Sequence, residues 1–199
     1  MVATTPLPGV QFGRATLVAV VGGIFAQPVE AVVLGTNQRG VFGLGVSAAL
    51  RDLGGPLIER EATTCAPLEI GSVLVTGAHQ LEQRGVRAVL HAVIAPTLGQ
   101  PARPADVRRA LAAVMLTLEQ RRYRSVAIPL LGTEAVDRGE MSEATMIDVL
   151  IGLIVGSLRR GAPRLTTVVI VTEFADQAQH VIEAALRLRE HSWRQESPR

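Results

Sequence analysis

Short runs of β-branched and aliphatic residues alternate with longer amphipathic segments, and this alternation limits the possible folds more than any other feature. The runs predict strands over Thr16–Val21, Glu30–Leu34, Ser72–Thr76, Arg87–Ile94, Ser125–Ile128 and Thr166–Val171. The segments between and after them predict helices over Gly45–Leu53, from Pro56, and over Pro104–Arg122, Ser142–Arg159 and Asp176–Leu188. Strands that alternate with helices of this length indicate an α/β sandwich around a largely parallel sheet.

Length and composition favour a single domain. The chain has 199 residues, of which 48% are hydrophobic, and a chain of this length buries roughly 70% of its unfolded surface. We expect one domain over residues 1–190 and a polar, frayed tail over residues 191–199. No apolar run reaches the roughly 20 residues that cross a bilayer, and the first residues lack the basic and apolar regions of a signal peptide. The expected location is the cytoplasm, with no membrane partner.

The charge pattern does not favour a nucleic-acid partner. The net charge is +2, yet the isoelectric point is 9.4. The chain contains no Lys and only one Tyr and one Cys, so almost nothing titrates between about pH 7 and pH 10 and a small positive charge persists. A nucleic-acid interface needs basic residues clustered on one face, and a high isoelectric point alone does not supply that.

Neither the histidines nor the single cysteine predicts a metal or redox site. The four histidines show no paired spacing typical of metal ligands, so no metal and no cofactor is expected. His91 lies within a predicted strand and is interpreted as a structural histidine with satisfied hydrogen bonds. Cys65 is interpreted as a buried thiol.

Two loops that follow predicted strands are candidates for anion binding. The first runs from Gly35 to Gly45 and has three glycines just before a predicted helix; the second runs from Pro129 to Gly139. Glycine lets the backbone approach a ligand closely, and free N–H groups at a helix N-terminus attract anions. Ligands of such sheets bind at the carboxyl ends of strands, so two loops of this kind could hold a diphosphate from both sides. Loops that merely turn the chain are the alternative.

Several motifs follow one another in order from about Leu17 to Leu186. They are Gly22-Gly23-Ile24, VEAVVLGTN at Val29–Asn37, GLGVSAAL at Gly43–Leu50, EIGSVLVTGA at Glu69–Ala78, LHAVIAP at Leu90–Pro96, SVAIPLLGTEAVD at Ser125–Asp137 and VVIVTEF ending at Phe174. In this order and spacing the chain resembles macro domains, the ADP-ribose-binding α/β/α modules. The resemblance implies a three-layer α/β/α sandwich with a mixed, largely parallel six-stranded sheet.

The resemblance also implies roles for single residues. Asn37 would hydrogen-bond the distal ribose, and the backbone N–H groups of the segment Gly45–Ser47 would bind the diphosphate. Gly132 and Thr133 would hold its other side, and Phe174 would stack on adenine, although a core Phe is an equal interpretation. The implied ligand-binding set is Ile24, Asn37, Gly43, Gly45, Val46, Ser47, Leu131, Gly132, Thr133, Glu134, Ala135 and Phe174.

The chain departs from the family pattern at five positions. Gly23 replaces the aspartate that reads the adenine amino group, and Leu34 replaces the first asparagine of the N-A-A-N motif. Ser47 replaces an aspartate implicated in catalysis in hydrolytic members; here it is better explained as a helix cap than as a nucleophile. Glu134 replaces a glycine and Val136 an aromatic residue. A carboxylate at residue 134 would repel a diphosphate and resist a positive φ.

Three functions are compatible with these observations. The first is a module that binds ADP-ribose or a related nucleotide diphosphate in a cleft between the two loops. The second is an enzyme that removes ADP-ribose or cleaves an ADP-ribose ester, which needs a general base; Glu134 or Asp137 could serve, but the spacing does not require it, and no catalytic residue is assigned. The third is a macro fold that has lost its ligand and acts through protein contacts. The oligomeric state is not predicted.

Overall fold

The chain forms a seven-stranded sheet with helices on both faces. The computed structural model describes residues 8–133, 139, 141–161 and 164–196. The strands are β1 (Val10–Phe12), β2 (Ala15–Val21), β3 (Ala31–Asn37), β4 (Val73–Gly77), β5 (Ala88–Ala95), β6 (Ser125–Pro129) and β7 (Thr167–Thr172). The described α-helices are α1 (Val46–Gly54), α2 (Pro56–Thr64), α3 (Pro104–Gln120), α4 (Glu143–Gly161) and α5 (Ala175–Glu196), and short 3-10 helices span Ile24–Ala26 and His79–Arg84.

The sheet is mixed, with a parallel centre and antiparallel edges. Its order is β1-β2-β7-β6-β3-β5-β4. The five strands from β2 to β5 in this order pair in parallel, whereas β1 pairs antiparallel with β2 and β4 pairs antiparallel with β5. The predicted mixed and largely parallel α/β sheet is therefore confirmed.

The predicted number of strands was wrong, because the sheet has seven strands rather than six. The additional strand is β1, and Val10 pairs with Leu17 and Phe12 with Ala15 across a two-residue turn. Gly13 in this turn has φ +57°, a left-handed conformation that glycine adopts readily. A strand of three residues is too short to show the alternation on which the prediction depended.

The three layers follow from burial on both faces of the central strands. In β3, Ala31 and Val33 belong to one apolar core and Val32 and Leu34 to the other. The first core packs against α3, α4 and α5, and the second contains residues of α1 and α2 such as Leu50. Strands buried on both faces read as continuous apolar runs, which is why their positions were predictable.

Two predicted boundaries differ from the structure where the site and the C-terminus are concerned. Strand β3 continues to Asn37, so the first predicted loop begins at residue 38 rather than at Gly35. Helix α5 continues to Glu196, well beyond the predicted Leu188 and into the segment that we expected to be frayed. The division into a domain over residues 1–190 and a tail remains a prediction.

Cys65 is exposed, so the interpretation as a buried thiol was wrong.

His91 lies in the middle of β5, within the sheet. It is fully buried, and its Nε2 atom lies 3.0 Å from the Thr76 hydroxyl, whereas Nδ1 has no partner among the described residues. The ring stacks on Phe42 with 5.7 Å between centroids. Burial lowers the pKa of His91 from 6.5 to about 4. His91 is therefore a neutral core residue, but only half of its hydrogen-bonding capacity is satisfied.

No helix in the described ranges has both the length and the apolar character needed to cross a membrane.

Candidate functional site

A cleft of about 720 Å³ lies across the carboxyl ends of four neighbouring parallel strands, β2, β7, β6 and β3. Neighbouring strands are about 4.8 Å apart, so these four span about 14 Å. This is the edge of the sheet at which ligands of parallel α/β proteins bind. The position and length of the cleft suit an elongated ligand that lies across the strand ends.

The floor of the cleft forms where β3 and β6 separate. Their register covers only two residue pairs, Ala31 with Val126 and Val32 with Ala127. Beyond them the strands no longer pair, and Leu34 and Gly35 line the cleft. Leu34 is only 2% exposed, so its side chain packs in the core below and leaves the cleft open. Sequence reasoning did not identify this divergence.

The β3–α1 loop delivers a helix N-terminus to one wall of the cleft. Gly45 precedes α1 with φ +64° and ψ −128° and supplies no side-chain cap. This conformation is accessible to glycine and costly for other residues. The first amides of a helix have no intrahelical acceptor, and those of Val46 and Ser47 belong to this first turn beside the cleft. Ser47 lies inside the helix and no side-chain hydrogen bond caps it, so the interpretation of Ser47 as the cap was wrong.

An ion pair holds the same loop against α1 and α2. The Glu59 carboxylate accepts the Phe42 N–H at 2.7 Å and is paired with the Arg51 guanidinium at 2.8 Å. Arg51 also donates to the Phe42 carbonyl at 2.9 Å. The hydrogen bond from Arg51 holds the pKa of Glu59 below its usual value. Sequence reasoning missed this clamp, because two charged residues eight positions apart on separate helices look like ordinary surface residues.

The opposite wall consists of the segment after β6. Leu131, Gly132 and Thr133 all line the cleft, and Leu131 is buried. Gly132 has φ +86°, and a Cβ atom there would lie 3.1 Å from Val107, so both conformation and space favour glycine. The predicted site residues Glu134 and Ala135, together with Val136 and Asp137, lie outside the described residues.

The remaining end of the cleft contains an exposed aromatic ring. Phe174 follows β7, lines the cleft and is 60% exposed, so the alternative of a core Phe is wrong. Gly23 and Ile24 follow β2 and line the same end. A Cβ atom on Gly23 would meet nothing within 4 Å, so the space beside this residue is open.

Two predicted site residues are not among the residues that line the cleft. Asn37 is buried; its Nδ2 donates to the Val41 carbonyl at 2.8 Å, and its Oδ1 accepts the Arg39 N–H at 3.0 Å. The side chain therefore stabilises the turn after β3. Gly43 lies next to Leu98, whose Cδ1 a Cβ atom would approach to 2.6 Å. Glycine at residue 43 therefore leaves room for the side chain of Leu98.

Two polar residues that were not predicted from the sequence lie beside Phe174 at this end of the cleft. Gln177 and Glu143 line the cleft, and the Gln177 Nε2 donates to a Glu143 carboxylate oxygen at 2.9 Å. Polar residues in the first turn of a helix are common, so nothing in the sequence marks them. Glu143 and Glu173 are the charged residues among the described residues that line the cleft. No cationic side chain is among the described lining residues, so an anion bound there would depend on backbone amides and on neutral donors such as the Ser47 and Thr133 hydroxyls.

Within the described ranges, no group of three or more His, Cys, Asp or Glu residues is arranged to hold a metal ion.

Comparison with known proteins places these features in a family. The family model described as Macro domain matches residues 33–142. A protein of Aquifex aeolicus is 31% identical in an alignment of 171 positions that covers 84% of this chain and 96% of that protein. A protein of Mycobacterium tuberculosis is 29% identical over 165 residues, which are 83% of this chain but only 43% of that longer protein.

Solved structures of macrodomains have the same fold. The Oceanobacillus iheyensis macrodomain with ADP superposes with a TM-score of 0.76 at 18% identity, covering 94% of this chain and 98% of that chain. The Trypanosoma brucei macrodomain in complex with ADP-ribose gives a TM-score of 0.69 at 20% identity, covering 83% of this chain and 68% of that chain. At such identities the likeness concerns the fold.

Proposed function

The chain belongs to the macro domain family, and on that premise we propose that it binds ADP-ribose or a related nucleotide diphosphate in the cleft across β2, β7, β6 and β3. The observation that carries the proposal is the pairing of two glycine-dependent backbone segments on opposite walls. The first turn of α1 follows Gly45, and the turn at Gly132 follows β6. Free amides at a helix N-terminus favour phosphate, because partial positive charge accumulates there.

The ligand's orientation follows from the polarity of the cleft. The diphosphate lies between α1 and the segment after β6, where the walls present main-chain groups and no charged side chain among the described lining residues. The base lies at the other end, where the exposed ring of Phe174 offers a stacking surface. This orientation also keeps the phosphates away from Glu143 and Glu173, whose charges would repel them.

Binding is favoured over hydrolysis. Hydrolysis of an ADP-ribose linkage needs a general base or an oriented water near the distal ribose. Ser47 stands where hydrolytic family members have an aspartate, and the described cleft carboxylates, Glu143 and Glu173, lie at the base end. Incubation with O-acetyl-ADP-ribose, followed by mass spectrometry, checks this: we expect no product above the uncatalysed background.

Calorimetry with a series of ligands tests the proposed function. ADP-ribose, ADP, AMP and NAD are titrated into the protein, and thermal shifts are measured in parallel. We expect ADP-ribose and ADP to bind more tightly than AMP, because AMP lacks the second phosphate that the two walls would share. Absence of heat and of any thermal shift with every ligand at millimolar concentration would contradict the proposal.

A further inference from the structure

Gln177 connects the aromatic end of the cleft to a carboxylate. Its Oε1 accepts the N–H groups of Glu173 at 3.1 Å and of Phe174 at 3.2 Å. Its Nε2 donates to Oε2 of Glu143 at 2.9 Å. Gln177 is only 7% exposed, and a buried amide with satisfied hydrogen bonds is held in one orientation. One buried side chain thus fixes both the backbone of Phe174 and the carboxylate of Glu143.

The Glu143 carboxylate presents one oxygen that Gln177 does not use. Among the described residues, Oε1 of Glu143 has no hydrogen-bond partner, and the residue lines the cleft. An ionised carboxylate accepts hydrogen bonds and donates none. This oxygen therefore favours a ligand group that offers an N–H or O–H donor, and it disfavours a group that offers a lone pair.

We propose that Glu143, held by Gln177, selects a 6-aminopurine base stacked on Phe174. This inference rests on the proposed function, since it concerns the base of the nucleotide in the same cleft. The exocyclic amino group of adenine donates to one acceptor oxygen. In the same pose hypoxanthine places its O6 acceptor against the carboxylate. Guanine recognition by a carboxylate uses two adjacent donors and both oxygens, one of which Gln177 already occupies.

The position of Glu143 gives it a role that Gly23 cannot perform. Gly23 has no side chain and nothing within 4 Å of a hypothetical Cβ atom, so the β2 side of the base end is open. Glu143 stands at the start of α4 and is linked to the backbone of Phe174 through Gln177. We therefore assign recognition of the amino group to Glu143 at the start of α4 and not to the residue that follows β2.

The test measures the affinities of ADP, IDP and GDP for the wild-type protein and for Glu143→Gln. In the variant, the introduced amide can still accept from Gln177 through its oxygen and can direct its NH2 group into the cleft. We expect the wild type to prefer ADP over IDP by about tenfold, and Glu143→Gln to reduce this ratio to about one or invert it. Circular dichroism and thermal unfolding verify that the variant is folded.

Two further variants make the result specific. Glu183→Gln removes the same charge from an exposed position of α5, so its ADP to IDP ratio should match that of the wild type. Glu173→Gln removes the other cleft carboxylate, and loss of the preference in Glu173→Gln but not in Glu143→Gln would overturn the inference. Equal binding of ADP and IDP, or tightest binding of GDP, by the wild type would also overturn it while leaving the proposed function intact. If no nucleotide binds, the proposed function itself fails and the inference with it.

Discussion

The carboxylate of Glu59 accepts the backbone N–H of Phe42 at 2.7 Å, so a side chain from α2 fixes the main chain of the β3–α1 loop. Arg51, the partner of Glu59, donates to the carbonyl of the same residue at 2.9 Å. The ring of Phe42 is buried and stacks on His91. The loop is therefore anchored to the helices through its backbone and to the sheet through one aromatic ring.

Glu59→Gln should loosen this loop. The variant weakens charge-assisted hydrogen bonds from Arg51 and Phe42, and since the pair is partly exposed we expect a loss of about 1 kcal/mol of unfolding free energy. The amide of Phe42 should exchange with solvent faster than in the wild type, as measured by hydrogen exchange. Glu183→Gln is the control for charge removal. Unchanged protection of the Phe42 amide would contradict the conclusion that Glu59 fixes the backbone of this loop.

Gly45→Ala should weaken nucleotide binding. The substitution forces a side chain onto φ +64° and ψ −128°, at a cost of about 1–3 kcal/mol unless the loop moves, and either outcome disturbs the first turn of α1. The matched control is Gly85→Ala, which also has a positive φ and no neighbour within 4 Å of its Cβ atom but is not among the cleft residues. Both variants should unfold at lower temperature. Only Gly45→Ala should bind ADP less tightly in calorimetry.

Phe174→Ala should lower affinity for nucleotides without affecting inorganic pyrophosphate. Stacking of a base on an aromatic ring contributes about 1–3 kcal/mol, and the ring is exposed, so its removal leaves no core cavity. Phe174→Tyr keeps the stacking surface and should bind ADP like the wild type. Equal ADP affinity of Phe174→Ala and the wild type would show that the base does not lie on this ring.

The stability of the fold should fall as pH decreases from 6.5 toward 4, because of His91. Its pKa is about 4 in the folded protein and 6.5 as the ordinary value, so in this window the unfolded chain binds the proton and the folded protein does not. Unfolding is thereby favoured by up to about 1.4 kcal/mol per pH unit. Urea unfolding at several pH values measures the slope. His91→Leu should show a smaller slope in this window, whatever its stability at neutral pH.

Gly23→Asp should restore adenine selection in the Glu143→Gln background. Gly23 has φ −81°, which any residue adopts, and open space around a Cβ atom, so an aspartate fits without strain. A carboxylate there would offer the amino group a second acceptor at the position that the family uses. We expect the ADP to IDP ratio of the double variant to rise about tenfold over that of Glu143→Gln. Gly23→Ser, which both donates and accepts, is the control and should restore less.

Most of the fold could be predicted from the sequence, because buried parallel strands appear as continuous apolar runs. The continuation of β3 through Gly35 and Thr36 to Asn37 could not, since glycine and asparagine are poor strand formers. Pairing of this segment with β5 outweighs that preference. The short strand β1 was missed because three residues carry no period.

The site was predictable where backbone conformation decides it. Gly45 and Gly132 line the cleft, and glycine was singled out in these loops because it lets the backbone approach a ligand closely. Ligand binding by Asn37 stays a prediction, and in the structure its amide hydrogen-bonds the turn after β3. Glu143 and Gln177 were missed because their importance comes from a contact across 34 positions of sequence, which no local pattern reveals.

The separation of β3 from β6 after two residue pairs has a consequence for how such a protein can change over generations. The cleft is produced by the course of the main chain. Leu34, at a position of the family motif, is buried below the cleft and does not fill it. Replacing the polar groups around the rim therefore need not close the space. A lineage can exchange those groups one at a time and alter which small molecule it favours, while the architecture beneath stays the same.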